Sequence, residues 1–229
     1  MTAVLRAEWT KLRTVAGPGW LLLAAMALTV AVGAAAANAV NCPAGGCQVD
    51  PAKVSLTGIY LGQAIVAVVA VTAVSGEYST GMIRLTLTAT PRRWLVLAAK
   101  AAVVGTAALV TGAVAVLASV LAGRLLLDRH GIDPAHGYQA LSLANGPVLR
   151  AAAGSVLYLA LIALLSLGIA AAVRDSAVAI GVVLGLMYIQ ATTDLRSLPL
   201  APWQGLGVLA AWAAGALLTG GLLLCMRDA

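Results

Sequence analysis

Few side chains in this sequence are equipped for chemistry. "RHGIDPAH" sets His130, Asp133 and His136 three residues apart, a donor set of the kind that binds zinc. Asp133-Pro134, Gly131 and Gly137 mark turns, and no fourth ligand stands nearby, so a solvated loop accounts for the trio better than a metal does. Cys42 and Cys47 in "NCPAGGCQ" can pair as a disulfide if they face an oxidising compartment. Only four residues separate them, so such a ring would be strained, and two free thiols are the equal alternative. Ser155 in "AAGSVLY" lacks a nucleophile elbow and has no histidine at its depth to activate it. No G-x-x-x-x-G-K-[ST] occurs, so the chain contributes no nucleotide-binding loop. One long segment, "GEYSTGMIRLTLTATPRRWLVLAAK", keeps Glu77, Arg84, Arg92, Arg93 and Lys100, and uncharged stretches flank it on both sides.

The elements that position these residues follow from composition. The chain has 229 residues, of which 62% are hydrophobic and 10% charged. Soluble domains carry roughly 25% charged residues, so the only solvent that suits this surface is lipid. The expected class is an all-α integral membrane protein. Runs near the ~20 residues that cross a hydrocarbon core number six: 20–40, 54–74, 101–123, 151–173, 176–193 and 203–226. Arg174 and Asp175 separate the fourth from the fifth, because within one long helix both would sit in lipid at a cost of a few kcal/mol each. The first run is too long for a cleavable signal and reads as a retained span.

With the N-terminus inside, nine of the lysines and arginines fall in inner segments and five in outer ones. That asymmetry places both termini in the cytosol. The net charge of +6 then reflects topology and anionic headgroups, with no nucleic-acid partner implied. Ahead of the first span, residues 1–19 present Leu5, Trp9, Leu12 and Ala16 on one helical face and Arg6, Thr10 and Arg13 on another. This is an interfacial helix ended by Gly17-Pro18-Gly19, or, on the plainer reading, a frayed basic tail. A helix over residues 77–88 sets Tyr78, Met82 and Leu85 on one face and Glu77, Gly81, Arg84 and Thr88 on another, with a break at Pro91. Such a stripe suits docking to a protein or resting on headgroups.

The spans themselves hold no Asp, Glu, His, Lys or Arg at mid-depth, where ion-driven carriers place an ionisable group. Work done by this chain must therefore be powered by another. Here the sequence resembles a membrane-spanning permease of ATP-binding-cassette exporters, of the type-2 permease family common in actinobacteria. The resemblance rests on "RAEWTKLRT", "SLTGIYLGQ", the Gly-Glu-x-x-x-Gly-x-x-Arg pattern ending in Pro-Arg-Arg and Lys100, and "APWQGLGVLAAWAAGALLTGGLLLCMRDA". It extends nearly end to end. It implies six spans in the bacterial plasma membrane, an elbow helix in "AEWTKLRT", and a coupling loop over 77–93. Glu77, Tyr78, Gly81, Met82, Arg84, Leu85, Arg92 and Arg93, with Lys100 at the exit, would face a separate ATPase subunit; Arg174 and Asp175 would form a second, smaller contact. The same resemblance implies a homo- or heterodimer, with ATP and Mg on the partner, no cofactor on this chain and no catalytic residue in it. "QATTDLRSLPLAPWQ", between the last two spans, is shorter than the family's usual outer element.

Gly58-x-x-x-Gly62 and Gly181-x-x-x-Gly185 offer close helix approach and lie in the spans through which the family dimerises. Tyr60, Gln63, Tyr188 and Gln190 either line an apolar passage for a hydrophobic or amphipathic substrate (drug, lipid or peptide) or bond between packed helices. Two other functions compete: an accessory or immunity protein that binds a partner without transport, and a metal-dependent membrane enzyme using His130 and His136.

Overall fold

The computed structural model describes residues 2–40, 50–89, 92–130, 132, 141–192 and 202–226. Among these the chain is helical, without a strand. In order the helices are α1 (Thr2–Thr14), α2 (Ala16–Ala39), α3 (Pro51–Ser55), α4 (Ile59–Ser79), α5 (Met82–Ala89), α6 (Arg93–Leu127), α7 (Gly146–Val173), α8 (Ser176–Thr192) and α9 (Pro202–Met226), with a short 3₁₀ turn at Asp128–His130. Among the described residues, five segments are long and apolar enough to cross a bilayer: Gly17–Ala39, Pro51–Ser79, Arg93–Leu127, Gly146–Val173 and Trp203–Met226. At 1.5 Å per residue the 17-residue α8 is about 26 Å long, short of the ~30 Å hydrocarbon core. The 35-residue α6 is about 52 Å long and overreaches it.

Several helix ends differ from the sequence-based expectation for physical reasons. Gly17-Pro18-Gly19 does not end the first helix; the break falls at Val15, and Pro18 sits in the first turn of α2. A proline is tolerated there because its missing N–H has no intrahelical acceptor anyway. The helix expected over 77–88 is two helices. α4 runs to Ser79, and Gly81 adopts a left-handed φ of +69° before α5 begins. That backbone favours glycine, which has no Cβ to clash. The Thr80 hydroxyl donates back to the Gly76 carbonyl at 2.8 Å, satisfying one of the groups that the ending helix leaves open.

Lipid gives helices no hydrophobic reason to associate, so close packing through small residues has to supply it. α7 and α9 run side by side in the same direction, meeting at Gly168 and Gly220. A Cβ on Gly168 would lie 2.6 Å from the Ala216 carbonyl carbon, and one on Gly220 would lie 2.7 Å from the Gly168 carbonyl oxygen. Gly58 and Gly62 serve the same purpose between α4 and α2, both pressed against Thr29. α2 of the same chain thus occupies the side of α4 that bears Gly58 and Gly62. Gly181 and Gly185 on α8 border open space.

Two cores result. One joins α4, α6, α7 and α8 through residues such as Val71, Val104, Leu167 and Ala179, and the other joins the opposite ends of α2, α6 and α7 through Ala37, Val116, Leu127 and Val148. Leucine at position 168 must push α7 off backbone that cannot yield, so Gly168→Leu is expected to destabilise the bundle by about 1–3 kcal/mol. Gly185→Leu, in open space, should stay within about 0.5 kcal/mol. Reversible unfolding in detergent micelles checks the contrast.

Candidate functional site

Among the described residues, the largest concentration of buried charge lies where α1, α4 and α6 meet. Glu8 from α1, Glu77 from the end of α4 and Lys100 from α6 are each buried. Lys11, one turn beyond Glu8, closes the set from the rim. Lys100 Nζ donates to Glu8 Oε2 at 2.7 Å and to Glu77 Oε1 at 2.9 Å. Lys11 Nζ donates to Glu8 Oε1 at 2.9 Å and to Glu77 Oε1 at 2.8 Å. Two ammonium and two carboxylate groups thus alternate in a closed ring of zero net charge. Glu77 Oε2 is also buried, and no described group donates to it.

Local sequence explains the placement. Glu8 and Lys11 stand at i, i+3 on α1, with the half-buried Leu5 and Leu12 one turn to either side, so one face of the helix turns inward. Trp9 is exposed. Glu77 lies four residues before Gly81 and is the last buried residue of α4. Burial on its own would raise the Glu8 pKa, but attraction to Lys100 and hydrogen bonds from Lys100 and Lys11 outweigh it, and the carboxyl titrates below its usual 4.5. Burial would likewise lower Lys11, yet its bonds to Glu77 and Glu8 and their charge hold it above its usual 10.5.

A second polar group lies at the same end of the bundle. The Arg93 guanidinium donates to the Leu224 carbonyl at 2.9 Å, and Arg174 donates to the Leu223 carbonyl at 3.3 Å. Both carbonyls belong to the last turn of α9, where no intrahelical donor follows and the helix dipole is negative. Arg174 adopts φ of 66° at the end of α7, and its guanidinium lies 5.4 Å from the centre of the Tyr78 ring, within the range of a cation–π contact. Asp175 caps α8 by accepting from the Val178 backbone N–H at 2.8 Å. The ends of α4, α6, α7 and α9 are therefore tied together beside α1.

Of the residues expected to face a partner, Glu77, Tyr78, Arg93 and Arg174 come together here through contacts within the chain. Met82, Arg92 and Gly81 are exposed. Arg84 and Leu85 lie on α5, with side chains outside the described set. Among the expected passage residues, Gln63 accepts a hydrogen bond from the Tyr158 hydroxyl of α7, a bond between packed helices. Tyr60 and Tyr188 are exposed, at 69% and 71%, and the side chain of Gln190 is outside the described residues. So are Cys42, Cys47, Asp133, His136 and the side chain of His130. Among the described residues no cluster of metal-binding side chains occurs.

Glu8 and Lys11 were not expected at any site, and Lys100 was expected only at the exit of a docking loop. The one available signal was an acid and a base one turn apart beside Leu5 and Leu12, which on a lone helix reads as an exposed pair. No family model matches the chain, and no curated protein or solved structure matches it significantly. Function must therefore be argued from the geometry.

Breaking a buried ion pair on one side is far costlier than removing the pair. Lys100→Met takes from Glu8 Oε2 the donor it has in the ring and is expected to destabilise the protein by about 3–5 kcal/mol. Removing one charge of each sign, in Glu8→Leu with Lys100→Met, should recover more than half of that loss, as unfolding of the double-mutant cycle will read. The pH dependence follows from the two shifts. Glu8 stabilises fully above its unfolded pKa and loses that contribution as pH falls through its lowered folded value. Lys11 stabilises fully below its unfolded pKa and loses it as pH rises through its raised folded value. The thermal midpoint should be flat across about pH 5–8 and fall at both extremes, with the acid fall reduced in Glu8→Gln.

Proposed function

We propose that this chain is the membrane-spanning subunit of an exporter powered by ATP hydrolysis on a separate subunit of the ATP-binding-cassette type. One observation carries the reading. The short helix α5 follows a glycine break four residues after Glu77, and the residues on either side of it, Glu77 and Arg93, are bonded to α1, α6 and α9. A force applied to α5 by a soluble motor would reach those helices through charged contacts and would not be lost in a loose loop. In this reading α1 is the elbow helix, α5 the coupling helix, and exposed Met82 and Arg92, with Arg84, meet the ATPase.

The direction of α9 supports six crossings. It runs parallel to α7 and starts at the end of the bundle opposite Arg174. Between Arg174 and Pro202 the chain must therefore return across the thickness of the bundle, and α8 makes most of that crossing. Both ends of the chain then lie on one side, the cytosolic one by its excess of Lys and Arg. Gly181 and Gly185, open on α8, suit contact with a second copy. The ATPase brings ATP and Mg. The substrate is hydrophobic or amphipathic, in keeping with an apolar bundle.

Reconstitution with its ATPase tests the proposal. Arg84→Ala combined with Met82→Ala should weaken ATPase binding roughly tenfold or more, the effect of losing hot-spot side chains. Substrate-stimulated hydrolysis should fall with it, while the unfolding midpoint of the permease stays unchanged. Recovery from mild detergent without any ATPase chain, with transport and hydrolysis indifferent to both substitutions, would favour an accessory protein that moves nothing.

A further inference from the structure

α6 and α9 run side by side in opposite directions, as the bond of Arg93 to Leu224 and the approach of Leu97 to Gly221 require. Between them lies a groove of about 490 Å³, within the roughly 300–1,000 Å³ typical of small-molecule sites. Its floor is made of small, half-buried residues, Ala98 and Ala101 from α6 and Gly221 from α9. The exposed Trp94, Leu218 and Leu222 form its sides. Among the described residues no charged one lines it. Arg92, exposed, stands at the mouth, two residues before Trp94. We infer that this groove binds an anionic phospholipid, its phosphate held by Arg92 and one acyl chain lying along the floor past Ala98 to Ala101.

Three observations select that occupant. First, the groove lies on two helices that are long and apolar enough to cross a bilayer, so what covers it comes from the bilayer. Small residues between large ones make a furrow along the helix axes, the shape of an extended hydrocarbon chain. Second, the charge at the mouth is positive and unopposed. α9 ends there, and its open carbonyls would repel an anion. Arg93 and Arg174 cover them, donating to the carbonyls of Leu224 and Leu223. The carboxylates of Glu8 and Glu77 are taken up by Lys11 and Lys100, and Asp175 accepts from the backbone of α8. Among the described residues none accepts a hydrogen bond from Arg92. Its guanidinium fork matches a phosphate, and basic sites between membrane helices are the kind that holds anionic headgroups. Third, Trp94 is 59% exposed beside Arg92. Tryptophan favours the level of the headgroups, where its ring is apolar and its N–H wet. The mouth of the groove is therefore at the depth of a lipid phosphate.

The inference does not rest on transport, and it is tested on the full chain without an ATPase, which in the reading above also meets Arg92. Nanodiscs of phosphatidylcholine receive a trace of one of two probes, phosphatidylglycerol or phosphatidylcholine, each with the same photoreactive acyl chain. Mapping of labelled peptides should find phosphatidylglycerol on residues 94–101 and 217–225. Phosphatidylcholine should label there roughly fivefold less, the difference one basic side chain makes to an anionic lipid, and added salt should narrow the gap. Arg92→Gln should bring phosphatidylglycerol down to the level of phosphatidylcholine, and Arg92→Lys should restore most of the preference. Ala98→Phe fills the floor and should abolish labelling of the groove by both. The comparison of the two lipids on the unaltered protein keeps the test decisive if that variant does not fold. Equal labelling by the two lipids would overturn the anionic head, and an undiminished preference in Arg92→Gln would overturn the role of Arg92. Labelling of the groove no denser than that of the outer face of α8 would overturn the site. Labelling present in discs that hold one copy of the chain and absent in discs that hold two would assign the groove to a second copy and overturn the lipid.

Discussion

Two carboxylates and the Lys100 ammonium are buried together at one end of the chain, with the Lys11 ammonium at their rim, and the arrangement of that end depends on them. Each charge taken singly would cost several kcal/mol to desolvate. Together they offset much of that cost, because each ammonium reaches both carboxylates and each carboxylate both ammonium groups. A ring of this kind contributes little net stability compared with an apolar replacement. What it contributes is register. α1 has 13 residues, a length at which a helix is marginal in water, and Glu8 and Lys11 fix which of its faces turns inward. The same four bonds hold the last turn of α4 against α6, so that the break at Gly81 falls where α4 leaves the bundle.

The remainder of the bundle is held by different means suited to lipid. Glycine and alanine bring α7 and α9, and α2 and α4, into backbone contact. Thr29, Ser75 and Ser166 return their hydroxyls to the carbonyl one turn earlier, so these buried polar atoms need no partner on another helix. The Tyr158–Gln63 bond instead links α7 to α4 side chain to side chain. At the charged end, Arg93 and Arg174 serve α9 as donors for carbonyls that its last turn leaves open. The cytosol-facing end expected from the charge asymmetry is thus also the end with the most polar contacts between helices.

Membrane character and most of the helices were legible from composition alone, because an apolar run of about 20 residues has few other uses. Helix ends were less so. Pro18 reads as a breaker until it is seen in a first turn, and the pattern over 77–88 continues smoothly through Gly81, whose left-handed backbone leaves no trace in hydrophobic periodicity. The site was the least legible part. Glu8 finds Lys100 across 92 residues, and Lys11 finds Glu77 across 66. Each of these residues, judged by its neighbours, is an ordinary surface charge. The Gly58–Gly62 pair shows the same limit from the other side: spacing announces close approach but does not say to which helix.

The physical character of the ring bears on how it would behave under load. Lysine is a compact charge on a flexible stem, unlike the planar fork of arginine, and it can exchange one acceptor for another with little change in geometry. Both lysines here already hold two acceptors, and Glu77 Oε1 is shared between them. If the end of α4 moves with α5, one lysine can keep Glu8 while the other follows Glu77, through either of its oxygens. The charges would then never be left wholly unpaired during the movement, which keeps the barrier below the cost of separating a buried pair. A joint of interchangeable bonds can shift between arrangements where an apolar contact of the same area would have to open.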